Sequence, residues 1–172
     1  MREESRGKRQ RGRAAIAIAL LLACLGLSAQ AALAAELTRS EYVAKAEPVC
    51  KANTEANIRI FKGAKDEVKE DKLKAASAHF FKAKQALSKT VSQLAALPKP
   101  TQDEAKLTKW ISYLGVERDF LGKIGVALRH EDKPGAQELS VRLNRNSNLA
   151  NNTVLAFGFK WCRIDPGRFS AK

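Results

Sequence analysis

Residues 73–97 read LKAASAHFFKAKQALSKTVSQLAAL, and the spacing of their side chains identifies the fold class. Positions that suit a buried face recur at alternating intervals of three and four residues, which is the period of an α-helix. These positions are Leu73, Ala76, Phe80, Ala83, Leu87, Thr90, Val91, Leu94 and Leu97. Pro98 and Pro100 follow at once, and proline cannot continue a helix. The stretch therefore predicts an amphipathic helix that packs one face into a core.

The chain before this helix predicts another one. Thr38-Arg-Ser-Glu41 matches a capping box, in which a threonine and a glutamate cap the first helical turn reciprocally. Helical spacing of apolar residues continues from there to Gly63. Pro48 interrupts it, so the helix is either kinked at Pro48 or properly begins there. The mixed-charge residues 65–72 fit a helix end or a solvated turn.

Two further helices are predicted after the prolines. Thr101-Gln-Asp-Glu104 is a second capping-box pattern and begins a third helix that ends at His130. A turn follows, in which Asp132 is placed to cap a fourth helix that starts near Ala136 and ends at Gly158. Long helical segments joined by short turns are typical of an up-down-up-down four-helix bundle. We therefore predict an all-α fold with this topology.

The N-terminus has the three-part layout of a secretory signal peptide. A basic region ends at Arg13, an apolar run covers residues 14–27, and small residues with A-x-A cleavage sites follow. Cleavage is expected before Ala35, because the polar sequence begins directly afterwards. The predicted organisation is a signal peptide over 1–34 and a helical bundle domain over 35–172.

Two alternatives to cleavage stay open. Residues 14–35 are about long enough to remain as an uncleaved membrane anchor. The sequence Leu21-Leu-Ala-Cys24 loosely matches a lipobox, in which Cys24 would be lipidated. All three outcomes place the chain from Glu36 onward outside the cytoplasmic membrane. We predict a secreted, periplasmic or cell-envelope location.

Removal of the signal would leave two cysteines, Cys50 and Cys162. Exported compartments permit disulfides, so two lone cysteines there most simply pair with each other. The alternative is a pair of independent buried thiols. A redox role is not favoured, because no C-x-x-C motif occurs and nothing marks either thiol as activated.

The chain is strongly basic, with a formal net charge of +13. The densest basic run covers residues 62–89 and includes Lys69, Lys72 and Lys74. Acidic residues interleave with it, as on an ordinary solvated helix face. The functional alternative is contact with an anionic envelope polymer or lipid headgroups. Aromatic residues are not interleaved in the way that stacking on single-stranded nucleic acid requires, so no specific nucleic acid partner is predicted.

No pattern for catalysis or metal binding stands out. His79 and His130 have no suitable metal ligand three or four residues away, and no Glu-x-x-His motif occurs. In Glu117-Arg-Asp119, Arg118 falls near the apolar stripe of its helix and is expected to extend along the edge of the core. The alternative is a buried ion pair beside a ligand pocket. We predict no enzyme activity, no cofactor and no metal site.

Two short motifs suggest a family. Residues 42–50 read YVAKAEPVC, and residues 157–162 read FGFKWC. With them the chain resembles a loose group of uncharacterised secreted helical proteins of actinobacterial type, whose common form is KA-x-x-x-C early and GF-x-x-C late. The resemblance covers the mature chain and implies pairing of Cys50 with Cys162. It implies no activity.

Two functions fit these observations. The first is an exported binding or structural module of the cell envelope that engages a protein or an anionic polymer through its surface. The alternative is a carrier that holds a small apolar ligand inside the bundle, near Trp110, Phe80 and Phe157.

Overall fold

The computed structural model describes residues 36–165, and every regular element within them is helical. The all-α prediction is therefore confirmed. The predicted signal peptide over 1–34, including Cys24, lies outside the described residues. The helices are α1 (Arg39–Ile60), α2 (Ala64–Lys69), α3 (Leu73–Ala96), α4 (Glu104–Arg129) and α5 (Lys133–Thr153), with short 3₁₀ turns at Thr101–Asp103 and Leu155–Phe157.

Helix α1 begins at the predicted capping box. The backbone N–H of Glu41 donates to the Thr38 hydroxyl at 3.3 Å, and the backbone N–H of Thr38 donates to the Glu41 carboxylate at 2.8 Å. Pro48 lies inside the helix, so α1 does not begin there. Gly63, with a φ of 86°, separates α1 from the short α2, because glycine adopts this left-handed conformation at low cost. The mixed-charge stretch after Gly63 thus forms a helix as well as a turn.

The second predicted capping box is not formed. Thr101–Asp103 is a 3₁₀ turn, and the Asp103 side chain makes no cap hydrogen bond. Asp103 instead accepts two hydrogen bonds of 2.7 Å from the guanidinium group of Arg39. In the box, the Glu104 carboxylate would accept from the backbone N–H of Thr101. That N–H donates instead to the Glu36 carboxylate at 3.0 Å, so a tertiary contact replaces the local one.

Helix α5 begins as predicted and ends earlier than predicted. The Asp132 carboxylate accepts from the backbone N–H of Gly135 at 2.9 Å, and Pro134 lies in the first turn. The helix stops at Thr153 rather than at Gly158. Its last turn contains two asparagines and a β-branched threonine, which favour helices weakly. One of those asparagines, Asn151, bonds to the chain beyond the helix.

The long helices pack in sequence: α1 contacts α3, α3 contacts α4, and α4 contacts α5. The buried apolar residues form two separate clusters. The first, called the disulfide cluster, includes Tyr42, Cys50, Leu94, Leu107, Trp110 and Cys162. The second, called the distal cluster, contains Leu73, Ala76, Ile124, Leu128 and Ala136. The two clusters use opposite ends of α3 and α4, and the middle of the helices separates them.

A disulfide joins Cys50 of α1 to Cys162, 112 residues later in the chain. It fixes the segment after α5, residues 158–165, against α1. Among residues 36–165, no helix combines the length and the apolar character that crossing a membrane requires.

Candidate functional site: an interior cavity

A cavity of about 310 Å³, partly open to solvent, lies between the helices where the two apolar clusters leave a gap. All four long helices line it, and so does the segment that follows α5. The volume is at the lower end of the range of small-molecule sites, which is about 300–1,000 Å³. The cavity therefore has the size of a site for a small ligand.

The walls are mainly apolar. Phe80 and Leu87 come from α3, and Leu114 and Leu121 come from α4. Both tryptophans of the chain, Trp110 and Trp161, also line the cavity. Aromatic and aliphatic walls with few polar groups are the usual composition of a ligand pocket.

One acidic side chain projects into this apolar space. Glu117 of α4 is 4% exposed and lines the cavity. Burial raises the pKa of Glu117 to about 7, because the charged form loses its hydration, while hydrogen bonds from Ser147 and Asn146 of α5 act in the opposite direction. Its Oε1 atom has no hydrogen-bond partner. A buried carboxylate with an unused acceptor is uncommon in a protein core.

Arg118 is partly buried, as a residue at the edge of the core would be, and it pairs with Asp119 at 2.8 Å. Glu117 lies inside, and the sequence analysis did not identify it as the buried residue. Both positions lie about one turn from Leu114 and from Leu121, so periodicity alone does not separate them. The donors on α5 distinguish them, since only Glu117 can accept their hydrogen bonds.

Helix α1 contributes three polar side chains at helical spacing. Asn53, Thr54 and Asn57 line the cavity, and Thr54 and Asn57 are each 7% exposed. The Oδ1 atoms of Asn53 and Asn57 are buried and have no hydrogen-bond partner. Residues four apart lie on the same face of a helix, so these two amides face the cavity from one side.

The asparagine-rich middle of α5 also serves the site. Asn144 and Ser147 line the cavity, and the Asn146 side-chain amide donates to the backbone carbonyl of Tyr113 at 2.9 Å. Asn146 therefore ties α5 to α4 directly beside Glu117. Buried asparagines in the interior of a helix are disfavoured unless they make such bonds. Their density in this helix was the sequence signal that could have indicated a polar interior site.

The C-terminal segment forms one wall of the cavity. Besides the disulfide, it is held by the Glu47 carboxylate, which accepts from the backbone N–H of Trp161 at 2.9 Å and from that of Lys160. Asn151 bonds both the N–H and the carbonyl of Ile164 at 2.8 Å. The wall is thus fixed to α1 and to α5 independently.

Two of the three residues expected around an interior cavity are found there. Trp110 and Phe80 line it. Phe157 does not: it stacks on Phe159 with ring centroids 5.5 Å apart, and the Arg39 guanidinium lies 4.9 Å from its centroid. Phe157 therefore belongs to the disulfide cluster rather than to the cavity wall.

The lysines singled out in the sequence lie on the surface, and each has an acidic neighbour. Lys69 lies 3.6 Å from Asp66, Lys72 lies 2.7 Å from Glu70, and Lys74 lies 3.3 Å from Glu131. All six side chains are more than half exposed. The pairs divide the positive charge among local partners instead of concentrating it in one patch.

The histidines do not meet. His79 contacts the backbone carbonyl of Ile60 through Nδ1 and the Glu67 carboxylate through Nε2 at 3.1 Å, whereas His130 is exposed at the end of α4. Across residues 36–165, no group of three or more His, Cys, Asp or Glu side chains is placed to hold a metal ion.

Comparison of the whole chain with known proteins finds no matching family model, no similar curated protein and no similar solved structure.

Proposed function

We propose that this chain is an exported, non-catalytic binding module that holds a small, mainly apolar ligand in its interior cavity. The observation that supports the proposal is the cavity itself, about 310 Å³ in volume and walled by aromatic and aliphatic side chains from four helices. Interiors of folded proteins are normally packed without voids of this size. An unfilled space costs stability, and a ligand that fills it recovers the lost contacts.

We further propose that the four long helices, α1, α3, α4 and α5, form an up-down-up-down bundle. The contacts of α1 with α3, of α3 with α4 and of α4 with α5 support this topology, as do the short connections from α3 to α4 and from α4 to α5. Binding sites in bundles typically lie in the core between facing helices.

Export is the third part of the proposal. The three-part layout of residues 1–34 supports it, and so does a disulfide that an oxidising compartment would maintain. The intact mass of the protein recovered from an expressing bacterial envelope fraction tests it. A chain that starts at Ala35 and is lighter by two hydrogens is expected. A full-length, reduced chain confined to the cytoplasm would contradict export.

The volume limits the size of the ligand. An engineered cavity of about 150 Å³ in another protein accepts benzene. A cavity twice as large accommodates roughly ten to twelve non-hydrogen atoms on the same scale. We therefore expect a compact molecule, such as one with a medium-length chain or one or two rings, rather than a complete membrane lipid.

Ligand binding can be followed through the protein itself. Because both tryptophans line the cavity, its filling should change their fluorescence. Titration with octanol, an apolar probe that fits the volume, is expected to give a saturable change in emission and a rise in the melting temperature. Octanol concentrations near its solubility that change neither signal would contradict the proposal.

Matched variants locate the probe. Leu121 and Leu143 line the cavity, whereas Leu139 packs in the distal cluster and does not. The double variant Leu121→Phe/Leu143→Phe should fill part of the space and weaken octanol binding at least about tenfold, which corresponds to about 1.4 kcal/mol. Leu139→Phe should leave the binding unchanged. Equal loss in both variants would place the probe elsewhere.

A second proposal concerns the surface. The basic balance of the chain supports contact with an anionic envelope polymer or an acidic partner protein. Reversal of Lys69, Lys72 and Lys74 to glutamate, with salt titration of retention on cell-wall preparations, tests it. Retention that falls with salt and with reversal would support it, and retention that is indifferent to both would exclude it.

A further inference from the structure

Several buried polar atoms around the cavity have no hydrogen-bond partner, and most of them are acceptors. Among the described residues that line it, three buried acceptors have no hydrogen-bond partner: Asn53 Oδ1, Asn57 Oδ1 and Glu117 Oε1. One buried donor, Trp110 Nε1, is also without a partner. Each unpaired buried polar atom costs about 1–3 kcal/mol, and native proteins contain few of them. Several around one cavity indicate that something else supplies their partners.

The acceptors determine which chemistry fits. An asparagine amide can rotate to present either its oxygen or its nitrogen, so Asn53 and Asn57 alone do not define the partner. An ionised carboxylate only accepts hydrogen bonds. When it is ionised, Glu117 therefore requires a donor, and a positively charged donor would also offset its charge in a site of low dielectric.

The surrounding charges do not already meet this requirement. No lining residue from α1, α3 or α5 is titratable or charged apart from the disulfide-bonded Cys50, which does not titrate. The other charged lining residues are Arg163 and Asp165 of the C-terminal segment, and both are exposed and of opposite sign. Within the cavity, Glu117 is consequently the dominant charge.

We propose that the ligand is an apolar amine, whose protonated nitrogen is held by Glu117 with Asn57 and Asn53 and whose apolar body fills the space between the aromatic walls. This proposal rests on the proposed function, because it names the ligand class of the same cavity. An ammonium group has three N–H donors, which matches the number of unpartnered acceptors. A ligand with a carboxylate head would place a second negative charge beside Glu117 and is therefore disfavoured.

Binding of an amine should depend on pH through Glu117. The amine is protonated throughout the neutral range, whereas Glu117 must be ionised to pair with it. Since burial holds the pKa of Glu117 at about 7, amine affinity should rise as Glu117 loses its proton. We expect at least a tenfold increase between about pH 5.5 and about pH 8. A neutral probe should show no such increase.

Three probes of equal chain length test the proposal: octylamine, octanol and octanoate, each titrated into the oxidised wild-type protein by calorimetry. At about pH 8, octylamine is expected to bind at least tenfold more tightly than octanol, and octanoate more weakly than either. The chain carries a net charge of +13, so nonspecific adsorption would favour octanoate instead. A preference for the amine would therefore come from the site.

Substitutions then test which residues cause the preference for octylamine over octanol. Glu117→Gln keeps the shape and removes the charge, so it should abolish the advantage of octylamine and leave octanol binding intact. Glu138→Gln, at an exposed position of α5, is the matched control and should change nothing. Asn57→Ala should weaken octylamine several-fold without affecting octanol, and it provides a second test if the Glu117 variant folds poorly.

The outcomes separate the two proposals. Octanol that binds as tightly as octylamine, or an amine preference that survives Glu117→Gln, would overturn the amine assignment while the cavity function stands. Failure of all three probes to bind would overturn both.

Discussion

The guanidinium group of Arg39 holds both carboxylate oxygens of Asp103 at 2.7 Å, and this pair joins the start of α1 to the entry of α4. The two partners differ in exposure: the Asp103 side chain is 1% exposed, whereas that of Arg39 is 38% exposed. Arg39 also covers the ring of Phe157. Arg39 therefore contacts a buried carboxylate and an aromatic ring while it remains partly hydrated.

This asymmetry predicts unequal effects of removing either partner. Arg39→Ala leaves a buried carboxylate unpaired, and we expect it to lower the melting temperature by about 5 °C or more. Asp103→Asn leaves Arg39 free to turn to water, so its effect should be smaller. The exposed pair of Lys51 and Glu55, at 3.6 Å, serves as the control, and its removal should leave the melting temperature unchanged. A larger effect of Asp103→Asn would contradict this reasoning.

The pair of Arg39 and Asp103 also predicts how the unfolding free energy depends on pH in the acid range. Hydrogen bonds from Arg39 hold the pKa of Asp103 below its ordinary value of 3.8. A carboxylate with a depressed pKa stabilises the fold above its unfolded pKa, and this contribution disappears as the pH falls through the folded pKa. We expect the unfolding free energy to decline below about pH 4, and Asp103→Asn to flatten that decline, as urea titrations would measure. If the unfolding free energy of the variant still declines below about pH 4 as steeply as that of the wild type, Asp103 is not the cause of the decline.

Glu117 predicts the opposite dependence at neutral pH. Burial raises its pKa from 4.5 to about 7, so the folded state of the empty protein retains a proton that the unfolded state releases. Stability from this group is present below about pH 4.5 and is lost as the pH rises through about 7, by up to about 3 kcal/mol. Glu117→Gln should therefore be more stable than the wild type at about pH 8 and similar to it at about pH 5. Parallel pH profiles of the two proteins would refute the assignment.

The disulfide predicts a large effect on stability. Cys50 and Cys162 close a long loop, with a sequence separation of 112. On the chain-entropy model, removal of such a crosslink costs about 4–5 kcal/mol. The double variant Cys50→Ser/Cys162→Ser, which leaves neither partner as a lone thiol, should show this loss in urea titrations. A loss below about 1 kcal/mol would show that the hydrogen bonds of Glu47 and Asn151 hold the segment without the crosslink.

The helices could be predicted well from the sequence because their signals are local. The apolar period of residues 73–97 and the Thr38–Glu41 capping box both correspond to helices in the structure. The second capping box failed because the backbone N–H of Thr101 bonds to Glu36, which lies 65 residues earlier in the sequence. Local patterns cannot include a partner that only the tertiary fold supplies.

The candidate site was predictable only in part, for the same reason. An apolar cavity near Trp110 and Phe80 was anticipated, but the sequence did not show that Glu117 lies within it. Glu117 and Arg118 both fit the helical period, and only the donors on α5 distinguish them. The unpartnered amides of Asn53 and Asn57 depend on the same packing. Where polar residues fall in an apolar helical stripe, periodicity alone does not show which of them is buried.

One wall of the cavity is made by a segment that a covalent bond fixes to the opposite end of the chain. Without the crosslink, this wall would be held by the hydrogen bonds of Glu47 and Asn151 and by the packing of Phe159 on Trp110. Under the proposed export and binding, the complete wall would form only after translocation, when the cysteines oxidise. The chain would then bind its ligand outside the cytoplasm and would leave the cytoplasmic supply of that ligand untouched.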